Sequence, residues 1–332
     1  MPVSEYSGTQ SKEFLVLESH SEILKLVEVA RMYYEQEMTQ SDIAKDIGVS
    51  RPLISKMLQR SKDLGIVNIE IRSPLEGNQG LLNRMKMRFD LIDGLIVPAN
   101  KGNLDLSMKN LISQSALYLE RKLSDQGCIG LGWGSTVAGL VDSMNSGELN
   151  AERPVTVCPL IGSMTSPSKG FHPNELTRRF AEKVGGDASY LHAPAFPGSK
   201  SNFEVFQQTD EYKYISSLWQ RLDTMIVSIG TYPSVPDQAT ALRFGKALKE
   251  QHAVGMLLSY YFDVNGNIIE GENDHVIRIP LENIRKVKKM ILVCSGNIKA
   301  NALLGVLRTG LVTHLITDDL AAKQVLELES EL

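Results

Sequence analysis

From Gly94 to Thr317 the chain alternates short apolar runs with longer stretches of helical period, and this rhythm restricts the fold more than any other feature. The runs GLIVPA, GCIGLG, RPVTVCPLIG, ASYLHAP, DTMIVSIG, AVGMLLSYYF, KMILVCSG and LVTHLIT read as strands. Helix-like segments lie between them at 104–124, from Ser135, near 173–184, as a short pair before DTMIVSIG, near 236–250 and near 297–308. Strands alternating with helices predict an α/β domain on a mostly parallel, doubly wound sheet with helices on both faces. Ligands of such folds sit at the carboxyl ends of strands.

One strand end is built for an anion. Gly130-Leu131-Gly132-Trp133-Gly134-Ser135-Thr136 runs from a strand through glycines into two hydroxyls that open a helix. Glycines let backbone N–H groups approach an anion, the helix amino terminus adds partial positive charge, and the hydroxyls donate further bonds. The same stretch also reads as a purely structural strand-to-helix turn. It lacks the Gly-Lys-Ser/Thr of a P-loop and the spacing of the dinucleotide fingerprint. Leu160-Ile161-Gly162-Ser163, Ile229-Gly230-Thr231 and Ser295-Gly296-Asn297-Ile298-Lys299 are further strand ends. Lys299 falls in the first turn of its helix, where its charge opposes the dipole, so a bound anion accounts for it better than helix stability does.

The first seventy residues have a different pattern. Ile23, Leu24, Leu26, Val27, Ala30, Tyr33 and Tyr34 recur at helical spacing. Thr39 is an N-cap with Asp42 three residues on, Ile43, Ala44 and Ile47 follow on one face, and Gly48 ends that helix. Val49 plugs the corner and Ser50 caps a third helix. Along it, Leu53, Ile54, Met57, Leu58 and Leu64 form an apolar stripe opposite Arg51, Ser55, Lys56, Gln59 and Arg60. Four basic residues and no acid lie between Ser50 and Lys62, whereas residues 21–72 carry eight of each sign. The alternating Ile66–Ile71 segment reads as a wing strand. Together these make an all-α winged helix-turn-helix whose third helix suits the DNA major groove. Arginine there bonds guanine edges, glutamine bonds adenine, and lysine or serine holds phosphates. The candidate DNA-contacting residues are Thr39, Gln40, Ser50, Arg51, Pro52, Ser55, Lys56, Gln59 and Arg60. A three-helix protein-interaction module is the alternative.

The domain plan is a tail over 1–20, the DNA-binding unit over 21–72, a linker helix over 73–92 and an effector domain over 93–332. In the linker, Leu81, Leu82, Met85 and Phe89 fit either a dimer contact or packing on the large domain. With 332 residues the chain has ample core for this division. A formal charge of -4 excludes a protein that coats nucleic acid by bulk electrostatics, so any DNA contact is local. No apolar run reaches the roughly 18 residues that span a bilayer, and the polar amino end points to a cytoplasmic protein. Cys128, Cys158 and Cys294 sit apart in apolar runs, as buried thiols do, and neither metal nor cofactor is implied.

Taken in order, MTQSDIAKDIGVSRPLISKMLQRSKDLGIVNIEI, GLGWGSTV, CPLIGS, YYFDVNGNII and SGNIKANALLGVLRTGLVTHLITDD resemble the SorC family of bacterial sugar-responsive regulators, also called SorC/DeoR. The resemblance covers nearly all of the chain after residue 20. The last segment is the most specific, with Gly296, Lys299, Leu307-Arg308 and Thr317-Asp318. Ser295 stands where the family commonly has glycine, and Thr309 interrupts a usual Gly-Gly.

The resemblance implies an effector domain similar to sugar-phosphate isomerases and glucosamine-phosphate deaminases that binds a phosphorylated sugar. Gly132, Gly134, Ser135 and Thr136 would hold the phosphate with Lys299 nearby, and Asp263 and Gly266 match a family strand-turn. The candidate effector set is Gly132, Trp133, Gly134, Ser135, Thr136, Gly162, Thr231, Asp263 and Lys299. Partners so implied are double-stranded operator DNA and a dimer or tetramer of the chain itself. An active isomerase or deaminase with a DNA-binding head is the competing class. It needs a positioned acid/base pair, yet Thr-Tyr-Pro-Ser-Val-Pro-Asp follows Ile229-Gly230 and His172, His192, His252, His275 and His314 are scattered. A scaffold with a vestigial sugar site is the third reading.

Overall fold

The computed structural model describes residues 20–67, 78–100, 102–123, 127–145, 154–164, 169–233, 238–296 and 299–331. The chain divides into two compact units, Met1–Ile71 and Arg72–Leu332. The expected tail up to residue 19 and residues 68–71 of the expected wing lie outside the described residues.

The smaller unit contains α1 (His20–Tyr34), α2 (Gln40–Ile47) and α3 (Arg51–Asp63). Thr39 caps α2 by accepting the Asp42 N–H at 3.2 Å and donates its hydroxyl to the Asp42 carboxylate at 2.6 Å. Gly48 ends α2 at φ 75, a conformation that costs other residues free energy, and its N–H returns to the Ala44 carbonyl. Val29, Met32, Ile43, Ala44, Ile54 and Leu58 form the core. Burying the Val, Met, Ile and Leu side chains among them stabilises by about 1.5–3 kcal/mol each. Ser61 joins the buried face by donating to carbonyls of Met57 and Leu26. Leu53 is 44% exposed rather than part of the stripe, because it lies one step round the helix from Ile54, and the Ser50 hydroxyl makes no cap bond to α3.

The larger unit begins α4 (Gln79–Phe89), β1 (Asp93–Val97), α5 (Leu104–Lys122), β2 (Cys128–Leu131), α6 (Ser135–Ser143), β3 (Thr156–Pro159), α7 (Pro173–Val184) and β4 (Asp187–Ala188). It continues α8 (Lys200–Gln208), α9 (Asp210–Trp219), β5 (Thr224–Val227), β6 (Gly230–Thr231), α10 (Gln238–Phe244), α11 (Ala247–Glu250), β7 (Gly255–Leu257) and β8 (Tyr260–Phe262). The last elements are β9 (Ile268–Ile269), α12 (Leu281–Ile284), β10 (Lys289–Val293), α13 (Ala300–Arg308), β11 (His314–Asp318) and α14 (Asp319–Glu331).

Seven strands make one sheet, ordered β1-β11-β10-β5-β2-β3-β4, and every pair is parallel. Strand residues alternate between two cores, as strand geometry requires. Met225, Val227, Met290 and Leu292 meet α4, α9, α13 and α14 on one face, while Ile226, Ile291 and Val293 meet α5, α6 and α7 on the other. Leu81, Leu82 and Met85 of α4 are buried in the first core, so the linker helix packs on its own unit. The chain leaves β2 toward β3 and β4 but leaves β5 toward β10 and β11, which puts the topological switch point between β2 and β5.

The run AVGMLLSYYF does not form one strand. It folds as the antiparallel pair β7 and β8, turning at Leu258 (φ 49) and Ser259 (φ 65), within a second sheet ordered β6-β7-β8-β9. ASYLHAP likewise supplies only Ala188 of the two-residue β4 and a bridge from Pro194 to Ser163.

Candidate functional site

At the switch point the carboxyl ends of β2 and β5 open into a cleft of about 310 Å³. One wall is Gly132, Trp133, Gly134, Ser135 and Thr136, and the opposite wall is Ser228, Ile229, Gly230 and Thr231. Met256, Leu258 and Ser259 of the second sheet line it as well, with Lys299. Seven of the nine sequence-chosen effector residues thus meet in one cleft: Gly132, Trp133, Gly134, Ser135, Thr136, Thr231 and Lys299.

The glycine-rich wall follows from local geometry. Gly132 is locked to β5 through its N–H to the Ile226 carbonyl at 2.8 Å. Gly134 is the N-cap of α6 at φ 109 and has no side chain with which to cap that helix. The first N–H groups of a helix have no partner inside it, so the amino end of α6 offers donors and partial positive charge toward the cleft. The Ser135 side chain is exposed there, and Thr136 is largely buried.

Lys299 sits at the N-cap of α13 and donates from Nζ to the Ile229 carbonyl at 3.2 Å. Among the described lining residues it is the charged one. Its position is braced from behind. Asp318, at the end of β11, accepts the Gly296 N–H at 2.7 Å and the Ala321 N–H at 2.8 Å, and the Lys299 N–H closes the turn on the Gly296 carbonyl. Burial pushes the neighbouring Cys294 thiol up to about 12, with Lys299 opposing and Asp318 adding to the shift. The thiol is therefore uncharged at neutral pH. Cys128, Cys158 and Cys294 are all free and buried.

The structure places two effector candidates elsewhere. Gly162 follows β3, and a Cβ there would lie 2.5 Å from the Ala193 carbonyl oxygen. Its N–H bonds to the Ile277 carbonyl, so the glycine serves close backbone packing. Asp263 organises the turn between β8 and β9, accepting the N–H groups of Asn265 and Asn267 at 2.9 and 2.8 Å and the Asn267 amide at 2.9 Å. Ser228, Met256, Leu258 and Ser259 were not found by sequence reasoning. Leu258 and Ser259 carry no Gly, Asn or Asp turn signal, so their place in a hairpin is invisible locally.

In the smaller unit, Arg51, Ser55 and Gln59 form one exposed row at four-residue spacing along α3, and Pro52, Lys56 and Arg60 form the adjacent exposed row. Gln59 donates to Asp63 at 3.0 Å. Lys56 and Arg60 border a groove with Glu22, Lys25 and Leu26 of α1. Ser50 is exposed at the amino end of α3 with its hydroxyl unused by the helix. The Thr39 hydroxyl, by contrast, is engaged in capping α2, and Gln40 is half-buried.

A doubly wound sheet with a cleft at its switch point defines a small-ligand-binding type of α/β unit. A family model described as "Putative sugar-binding domain" matches residues 73–327. Along the sequence the chain is 28% identical to the sorbitol operon regulator of Klebsiella pneumoniae, over 94% of this chain and 100% of the relative. It is 26% identical to the deoxyribonucleoside regulator of Bacillus subtilis, over 90% of this chain and 95% of the relative. The crystal structure of the full-length Klebsiella pneumoniae regulator matches with a TM-score of 0.70 at 27% identity, covering 93% of this chain and 100% of that one. The chain belongs to the SorC family of transcriptional regulators. These relatives are regulators of transcription, not enzymes.

Proposed function

We propose that the cleft between β2 and β5 binds a phosphorylated sugar and that its occupancy sets the affinity of α3 for operator DNA in a carbohydrate-utilisation operon. The observation that carries this reading is the meeting of the amino end of α6 behind its glycine N-cap, the Ser135 and Thr136 hydroxyls and Lys299 around one cleft. Positive helix ends and a lysine hold a phosphate, and Trp133, Thr231 and Ser259 are left to contact the sugar. The described lining contains no histidine and no carboxylate, so binding without turnover is the chemistry it supports.

The smaller unit acts as a helix-turn-helix, with Arg51, Ser55 and Gln59 reading base edges and Ser50, Lys56 and Arg60 holding phosphates. The protein works in the cytoplasm as a dimer or tetramer, whose paired recognition helices match paired half-sites. A ligand that prefers one arrangement of the oligomer changes operator affinity, and by linkage the operator changes ligand affinity equally. No helix among the described residues is long and apolar enough to cross a membrane.

The double variant Ser135→Ala, Thr136→Ala tests this. It should retain operator binding in a fluorescence-anisotropy titration while losing the response to a panel of sugar phosphates. A wild-type response in the double variant would remove the phosphate site from this cleft.

A further inference from the structure

Behind the cleft lie two buried arginines that share one carboxylate. Arg243, 6% exposed, reaches Asp274 Oδ1 through Nε at 2.9 Å and through Nη2 at 2.6 Å. Arg278, 7% exposed, reaches Asp274 Oδ2 through Nη2 at 2.6 Å. Aromatic faces cover both cations: Phe196 and Phe244 lie 4.9 and 4.8 Å from the Arg243 guanidinium, and Tyr260 lies 3.4 Å from that of Arg278. Among the described residues Arg278 Nη1 is buried without a hydrogen-bond partner. Among the described residues Asp274 is the carboxylate bonded to either guanidinium, and the exposed Glu282 acts on neighbouring Tyr260 only through space, so two cations share one directly paired anion, and a buried unpaired charge is costly to keep.

The cluster adjoins the cleft through its wall. Arg243 Nη2 donates to the Ser259 carbonyl at 3.1 Å, and Ser259 lines the cleft. Tyr260, beneath Arg278, is the next residue. On the other side Trp133, also in the lining, packs in one apolar cluster with Phe196. The Leu258–Ser259 turn adopts positive φ at two residues with side chains, a strained arrangement that tertiary contacts must hold.

We propose that the Arg243–Asp274–Arg278 cluster is the charge selector of the cleft: its surplus positive charge, buried behind Ser259, favours a ligand with net negative charge, a sugar phosphate, over the neutral sugar. This rests on the reading that the cleft takes a phosphosugar. A unit charge on the order of 10 Å from the ligand, at an effective dielectric near 20, changes affinity by about tenfold per ligand charge.

The test is calorimetric titration of the full chain with inorganic phosphate, comparing the wild type with Arg278→Met and Arg278→Lys. Arg278→Met removes the surplus charge and leaves the Arg243–Asp274 pair and its Ser259 contact in place. Its affinity for inorganic phosphate, which carries about one to two negative charges at neutral pH, should fall about ten- to a hundredfold with an unlowered melting temperature, and Arg278→Lys should restore most of that affinity. If Arg278→Met does not fold, Arg278→Gln replaces it in the same comparison. Wild-type affinity in the folded, uncharged variant overturns the proposal, as does a loss that Arg278→Lys fails to rescue. A wild type that binds no phosphate overturns the phosphosugar reading itself. Phosphate binding that Ser135→Ala, Thr136→Ala abolishes and Arg278→Met leaves untouched overturns the charge selector alone.

Discussion

The Lys299 ammonium reaches across the cleft to the carbonyl oxygen of Ile229 at 3.2 Å, joining the amino end of α13 to the segment that follows β5. That bond holds the charge at the mouth of the cleft, close to the α6 helix end. Charge-assisted hydrogen bonds contribute about 1.5–3 kcal/mol. Lys299→Met should therefore weaken binding of a sugar phosphate by roughly 10- to 100-fold in a calorimetric titration, while its melting temperature stays close to that of the wild type. Undiminished affinity would place the phosphate elsewhere.

Arg51 is exposed at the first position of α3, one helical turn from Ser55 and two from Gln59. Residues near the amino end of a recognition helix approach base edges most closely. Arg51→Ala should weaken operator binding by about 1–3 kcal/mol, read as a shifted anisotropy midpoint at fixed salt, with circular dichroism unchanged. A midpoint equal to that of the wild type removes Arg51 from the interface.

Gly266 closes the turn after β8 at φ 85, and a Cβ placed on it would lie 2.5 Å from the backbone carbonyl carbon of Arg308. The approach is locked because Arg308 Nη1 donates to the Val264 carbonyl at 3.1 Å and Arg308 also pairs with Glu329 at 2.7 Å. Left-handed strain and a backbone clash add, so Gly266→Ala should cost about 2–4 kcal/mol. Urea unfolding checks this, and an unmoved midpoint would show that the turn yields freely.

Burial holds the His314 imidazole below its ordinary pKa of 6.5, with Asp93 opposing and Lys289, Lys122 and Lys86 adding to the shift. The unfolded chain then takes up a proton at higher pH than the folded one. Stability from the neutral ring is present above about 6.5 and is lost as pH falls through the folded pKa. Melting temperatures measured from about pH 7 down to about pH 5 should fall less steeply for His314→Gln than for the wild type. Parallel profiles would assign the acid sensitivity to other groups.

Much of the site was legible before any coordinates, because its signals are local. Gly132 through Thr136 stand in one strand-to-helix turn, and a turn's capacity for an anion depends on residues adjacent in the chain. Thr39, Asp42 and Gly48 mark the ends of α2 for the same reason. Similar signals misled where a neighbour distant in sequence intervened. Gly162 ends a strand much as Gly132 does, yet Ala193 and Ile277 close over it. Leu53 fits an apolar stripe but is 44% exposed, since it stands one step round α3 from the buried Ile54.

Periodicity and capping alone settled the alternation of strands and helices, the three amino-terminal helices and the glycine-rich strand-to-helix turn, because each is decided within a few residues by backbone geometry and side-chain polarity. Tertiary structure decided which strand ends became neighbours, that AVGMLLSYYF bends into a hairpin, and that two arginines share Asp274 behind it. Those outcomes depend on strand order and on burial among residues far apart in the chain, and no short-range preference encodes either.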